Sequence, residues 1–220
     1  MIGVIRMQTK DLTTLPEHPN LKQQLSYALM EESVIENLSF LEQTLENFHG
    51  EKSEFQNVCF KKCRFQDCDF TSSSFIHVLF EDCDLSNSVW NKSFFKDTTF
   101  IECKVQGAKF ANSSLKNITI KKSKLDYSNF THALIEAAMV EETSFISTFL
   151  SEVKFKKLQL LDCKFDSTDF FKTPLKGIDF SSSEVTHMLM SDDFREIKGA
   201  KFNSLQALEL AKMLGIIITS

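Results

Sequence analysis

From Phe55 to Met190, every residue whose number is a multiple of five is apolar, 28 of 28 positions. The run opens with Phe55, Phe60, Phe65, Phe70, Phe75 and Phe80 and closes with Leu175, Phe180, Val185 and Met190. At the overall hydrophobic content of 42%, chance gives such a run a frequency on the order of 10⁻¹¹, and a repeat architecture is its explanation. A helix does not hold a period of five, since its faces recur at 3.6 residues. With the central apolar residue called i, position i−2 is Ser, Thr, Ala, Cys or Val in 24 of 28 units. Two inward side chains two residues apart are what a strand supplies, because its side chains alternate. Each unit is thus a short strand and a corner.

Twenty residues make one coil in this reading. Cys63, Cys83, Cys103 and Cys163 differ by multiples of 20, and so do the oversized i−2 residues Ile118, Leu158 and Ile178. In two of those units the central residue shrinks to Ile120 or Leu160, as constant core volume requires. Seven uninterrupted coils over residues 53–192 span roughly 34 Å at ~4.8 Å per coil. Ile35, Phe40 and Leu45 share the phase, and Gly50 is expected to break that early run. Composition agrees with corners made by a repeat: the chain has Phe 22 but only Gly 6 and Pro 3, many strand formers and few conventional turn residues.

Units such as Cys68-Asp69-Phe70-Thr71-Ser72, Ala108-Lys109-Phe110-Ala111-Asn112 and Thr168-Asp169-Phe170-Phe171-Lys172 resemble the pentapeptide-repeat pattern A/S/T/C–D/N–L/F–x–x. The resemblance implies an all-β fold, a right-handed quadrilateral β-helix filled by i and i−2, with a short C-terminal helix. Residues 1–32 are then an N-terminal extension or cap, 33–202 the β-helix and 203–220 a terminal helix and strand.

A solenoid must cover its ends. Leu21, Leu25 and Leu29, spaced by four, suggest a short cap helix over Leu21–Glu31. After Met190 the phase slips by two and resumes with Ile197 and Phe202. Asn203 and Gln206 suit a capping box, and Gly215 suits a helix C′ position. Between them the only polar residues of Leu205–Leu214 are Gln206, Glu209 and Lys212, one narrow stripe at spacing three. A helix capping a single rod has a broader wet face. The expectation is therefore a homodimer through Leu205, Leu208, Leu210, Met213, Leu214, Ile216 and Ile218, with Ile216-Ile217-Ile218 as a buried strand; a monomeric cap is the alternative.

The tail Gln206-Ala207-x-x-Leu210-Ala211-x-x-Leu214-Gly215-Ile216 resembles the quinolone-resistance (Qnr and MfpA-like) proteins, and with the repeat the resemblance covers about residues 35–218. It implies a dimeric rod that mimics duplex DNA, binds DNA gyrase or topoisomerase IV and protects it from quinolones. The other partner reading is a protein-interaction scaffold, or a gyrase inhibitor without protection. The unbroken phase leaves no inserted loop between Phe55 and Met190, unlike several of those relatives.

Charge only partly suits a duplex mimic. Residues 53–190 carry 18 acidic and 17 basic side chains, and residues 1–52 carry 8 and 4. The candidate acidic face comprises Glu81, Asp82, Glu102, Glu141, Glu142, Asp162 and Asp179, interrupted by Lys61-Lys62 and Lys121-Lys122. Lys154, Lys156, Lys157, Lys172 and Lys176 form a basic group toward the C-terminal end. A strong mimic presents a sustained negative face, and direct nucleic-acid binding wants a basic groove with aromatic platforms. No catalytic, cofactor-binding or metal site is expected. The acids point outward, His77, His132 and His187 fall on three faces, and phosphate-loop and Ser/His/Asp motifs are absent. The cysteine column is expected to pack as small apolar side chains. Met1–Lys10 lacks a secretory core, apolar runs fall short of the ~18 residues of a membrane span, and the expected location is cytoplasmic, with reduced thiols.

Overall fold

The computed structural model describes residues 12–217 and 219. Its core is a β-solenoid of about eight coils. Helix α1 (Leu21–Met30) comes first, then β1 (Ile35–Leu41), β2 (Thr44–Glu46), β3 (Glu54–Lys61), β4 (Arg64–Gln66), β5 (Ser74–Glu81), β6 (Phe94–Lys96) and β7 (Thr99–Ile101). They are followed by β8 (Ser114–Lys121), β9 (Leu134–Glu141), β10 (Lys154–Leu161), β11 (Lys164–Asp166), β12 (Glu184–Thr186) and α2 (Ser204–Met213). One parallel sheet runs β1-β3-β5-β6-β8-β9-β10, with β7 beside β5 and β8. Its register advances by one coil at each step: Ile35 pairs with Phe55, Phe55 with Phe75 and Ile118 with Ala138. The twenty-residue coil inferred from the cysteine spacing is this register.

Inside, the central residues stack into columns. Phe40, Phe60, Phe80 and Phe100 lie 5.5, 5.1 and 5.0 Å apart, their rings within 15° of parallel. Phe55, Phe75 and Phe95 stack at 4.8 Å. Ring spacing equals coil spacing, so the stack follows from the sheet. Gly50 does not break the early run. It stands at a central position where an added Cβ would lie 2.6 Å from the Phe70 ring, so the coil continues through it with Phe70 filling its space. The solenoid therefore starts at Ile35.

Three polar devices make the corners. At i+2, non-glycine residues from Glu32 to Lys172 adopt left-handed backbone with φ between 48° and 64°, Gly107 being the glycine of this series. Along the wall their N–H groups donate to the next coil, as Lys62 does to Glu81 O at 2.8 Å and Asn112 to Thr131 O at 2.9 Å, Lys157 being an exception. The recurrent hydrogen bond offsets a conformational cost of ~1–2 kcal/mol per residue. At i−1, Asp or Asn oxygens accept from the i+1 N–H: Asp69 from Thr71, Asn129 from Thr131 and Asp169 from Phe171, each at 2.8 Å. At i−2, a hydroxyl or thiol donates to a central-residue carbonyl 23 residues earlier. Ser88 reaches Phe65 O at 2.8 Å and Cys83 reaches Phe60 O at 3.3 Å. The preference for Ser, Thr and Cys at i−2 thus satisfies buried carbonyls as well as filling space.

The ends differ. Helix α1 is capped by Asn20 Oδ1, which accepts from Gln23 N–H at 2.9 Å, and buries Leu21, Leu25 and Ala28; Leu29 is only half-buried, so the packed stripe is not the Leu spacing of four. Upstream, residues 12–18 run along the outside of the wall. Ser39 N–H donates to Pro16 O at 2.9 Å and His18 N–H to Ser39 O at 2.8 Å, while buried Leu12 packs with Cys59 and Leu79. At the other end the two-residue slip appears as Phe202 stacked on Phe180 at 5.3 Å.

Candidate interaction surfaces

Helix α2 starts on the expected capping box: Asn203 Oδ1 accepts from Gln206 N–H at 3.0 Å, and Gln206 Oε1 from Asn203 N–H at 2.8 Å. It stops at Gly215 (φ 76°), with Gly215 N–H donating to Lys212 O and Ile216 N–H to Ala211 O. Its packing face corrects the polar-stripe reading. Gln206 is buried, its amide donating to Phe180 O at 2.9 Å and Ser183 O at 2.6 Å, so it faces the rod and not solvent. Leu210, one turn later, is buried beside it against the chain's own core. The helix thus seats one side on its rod through Gln206 and Leu210. Leu205 (76% exposed), Leu208, Met213, Leu214 and Ile216 are left outside. Ile216 and Ile217 are exposed and lie in no strand, and Ile218 falls outside the described residues.

The acidic residues divide into two kinds. Glu81 and Glu141 are held by Lys61 and Lys121 of the preceding coil, at 2.9 and 2.8 Å. Asp82 and Glu102, on adjacent coils, and Glu142 and Asp162, on adjacent coils, are exposed at left-handed corner positions. Lys122 occupies the coil between these pairs. Asp179 lies apart from them, one residue before the buried central Phe180, and accepts from Ser181 N–H at 3.0 Å with Lys201 3.8 Å away. The face consists of two acidic pairs and isolated acids.

The histidines are separate, as their faces require: His77 bonds Asn57 at 2.7 Å, His132 lies 3.7 Å from Glu152, and His187 bonds Asp166 at 2.8 Å. The His187 contact, then Thr186, holds the Asp166 carboxyl below the ordinary aspartate range. Among the described residues no three His, Cys, Asp or Glu side chains group as metal ligands. All six cysteines are free and buried. Burial raises the thiols of Cys68 and Cys163, and in the column contact with Cys83 raises Cys63 and contact with Cys103 raises Cys83. Among the described residues no helix is long and apolar enough to cross a membrane.

Residues 53–130 match the family model of the pentapeptide repeat region. The same five-residue unit continues in register on both sides of that stretch, and the molecule is a pentapeptide-repeat β-helix. Among solved structures, a trypsin-treated variant of QnrB1, a plasmid-mediated fluoroquinolone resistance protein, is 23% identical, with 86% of this chain and 92% of that chain covered and a TM-score of 0.46. HetL, a pentapeptide repeat protein involved in heterocyst differentiation regulation from the cyanobacterium Nostoc, is 10% identical, with 84% of this chain and 95% of that chain covered and a TM-score of 0.32. Superpositions this loose add nothing to what the coil register establishes. No curated protein matches the sequence.

Proposed function

We propose that the protein acts by binding, as a homodimeric rod, and that its partner is a type II topoisomerase, DNA gyrase or topoisomerase IV, which it protects from quinolones. The observation that carries this reading is the exposed apolar side of α2 at the end of the pentapeptide-repeat rod. Its residues belong to the tail on which the resemblance to quinolone-resistance proteins rests. In this reading Leu205, Leu208, Met213, Leu214 and Ile216 join two copies, and Asp82, Glu102, Glu142 and Asp162 meet the basic surface that normally holds DNA. Catalysis plays no part, and the location is the bacterial cytoplasm.

A second reading, a scaffold for an unrelated protein, is favoured by the pairing of Glu81 with Lys61 and of Glu141 with Lys121, which removes charge from the face. The deciding experiment is gyrase supercoiling with the purified protein titrated in, with and without ciprofloxacin. Restored supercoiling in the presence of drug supports protection. Inhibition without rescue keeps the topoisomerase and discards protection, and no effect at micromolar protein discards both in favour of the scaffold.

A further inference from the structure

The coil-to-coil ladder is broken on one face. β10 is the last strand of the large sheet, and residues 174–181, one coil further on, form no strand. No backbone hydrogen bond joins residues 154–162 to residues 174–182. The coils are closed on either side, by Glu152 N–H to Phe171 O at 2.9 Å and by Glu184 N–H to Cys163 O at 2.8 Å. Between these closures the later segment keeps only its forward bonds to the last coil: Leu175 N–H donates to Glu196 O, Gly177 N–H to Gly199 O and Phe180 N–H to Lys201 O. Pro174 contributes directly. At the equivalent place one coil earlier Lys154 N–H donates to Ala133 O at 2.9 Å, and a proline has no N–H to give Val153 O.

The opening has a recognisable chemistry. By the pattern of the other coils, the N–H groups of Phe155, Lys157 and Leu160 and the carbonyls of Val153 and Leu158 point to the missing neighbour. Phe155, Leu158 and Leu160 occupy interior positions yet are only partly buried, as is Ile135 before Phe155 in its column, whereas Phe55, Phe75 and Phe95 of that column are fully buried. Behind them lies an apolar cavity of about 40 Å³, reaching Val140, Phe165 and Ile178. Around the edge stand Lys154, Lys156, Lys157, Lys172 and Lys176, and among the described residues none is in an ion pair.

We propose that the open edge of β10 is a docking site for an extended segment of a partner protein, apolar at alternate positions and acidic at the intervening ones. The alternating donors and acceptors fit a peptide backbone, the partly buried Phe155, Leu158 and Leu160 meet its apolar side chains, and the five lysines select its charge. A second copy is a poor occupant, because pairing two β10 edges sets Lys154, Lys156 and Lys157 against themselves. The site is independent of the topoisomerase reading and uses different residues.

The test combines amide hydrogen exchange with fluorescence anisotropy, using a labelled seven-residue peptide of alternating Glu and Val. In the free protein the amides of Phe155, Lys157 and Leu160 should exchange at least about ten-fold faster than those of Leu115, Asn117 and Ile120, and the peptide should slow them. N-methylation of alternate peptide nitrogens, replacement of its Glu by Lys, or the Lys156→Glu/Lys157→Glu variant should each weaken binding about ten-fold or more. Equal protection of both sets in the free protein overturns the proposal, as does protection of the β10 amides that disappears on dilution and so reveals a second copy. Binding indifferent to N-methylation, or no binding to an edge that exchanges fast, also overturns it.

Discussion

Gln206 donates its side-chain amide to the carbonyl of Phe180 at 2.9 Å, and so ties the terminal helix to an interior residue of the rod. The second amide hydrogen goes to Ser183 O, and both bonds are buried. Gln206→Leu leaves the Ser183 carbonyl without its donor and the Phe180 carbonyl with Ser183 N–H alone, and should cost about 1–3 kcal/mol in urea unfolding. Gln206→Glu should cost more at neutral pH, because a carboxylate offers no proton to either carbonyl. Its carboxyl pKa is raised in the folded state, so the variant should regain stability as pH falls and the group protonates. A loss independent of pH would show that the contact acts only by packing.

Leu208 lies on the side of α2 away from the rod. Leu208→Asp should leave the fold within about 0.5 kcal/mol of wild type while converting the proposed dimer to monomer in analytical ultracentrifugation. Leu210→Asp should instead unfold the cap, since Leu210 faces its own core. A dimer that survives Leu208→Asp at low concentration places the contact elsewhere.

Leu12 covers Cys59 on the outside of the wall. Burial, with the Glu81 carboxylate beside it, pushes the Cys59 thiol up to about 11, so at pH 8 it should hold on the order of a hundred-fold less thiolate than a free cysteine. Leu12→Ser removes the cover and should make Cys59 the first thiol to react with a disulfide reagent, leaving the column of Cys63, Cys83 and Cys103 protected. Mass-spectrometric mapping of the labelled peptide checks the order.

A side chain at Gly50 would collide with the Phe70 ring. Gly50→Ala should therefore cost about 1–3 kcal/mol by overpacking. Phe70→Leu should be destabilising alone and less so in combination with Gly50→Ala, a coupling measurable by a double-mutant cycle. Additive losses would mean that the two sites do not share the space.

The interior of the rod is legible in the sequence because core volume imposes a strict period on it. Phe60, Phe80 and Phe100 announce their own column. The corners are only partly legible: six of the ten asparagines, Asn37, Asn47, Asn57, Asn87, Asn112 and Asn117, stand at left-handed positions, but Glu, Lys, His and Tyr stand there too, held by a backbone hydrogen bond that any of them can make. Gln206 misleads for a related reason: a polar residue on a helix reads as solvent-facing until the carbonyls at the rod end are placed opposite it. Two other features did leave traces. Cys59 and Leu79 are apolar at outward positions, which signals a cover, and Pro174 in a strand phase signals a broken ladder. The acidic face was legible as a list of charges, but its neutralisation by Lys61 and Lys121 depends on the coil register.

The corner geometry has a consequence for how such a molecule can change. Each left-handed residue keeps its place through the main chain, so Asp82, Lys122 or His132 can be exchanged without disturbing the stacked interior. The wall is a surface on which recognition can be rewritten letter by letter, and a whole coil can be gained or lost without altering the frame of the rest. Divergence toward a new partner then needs no passage through a misfolded ancestor.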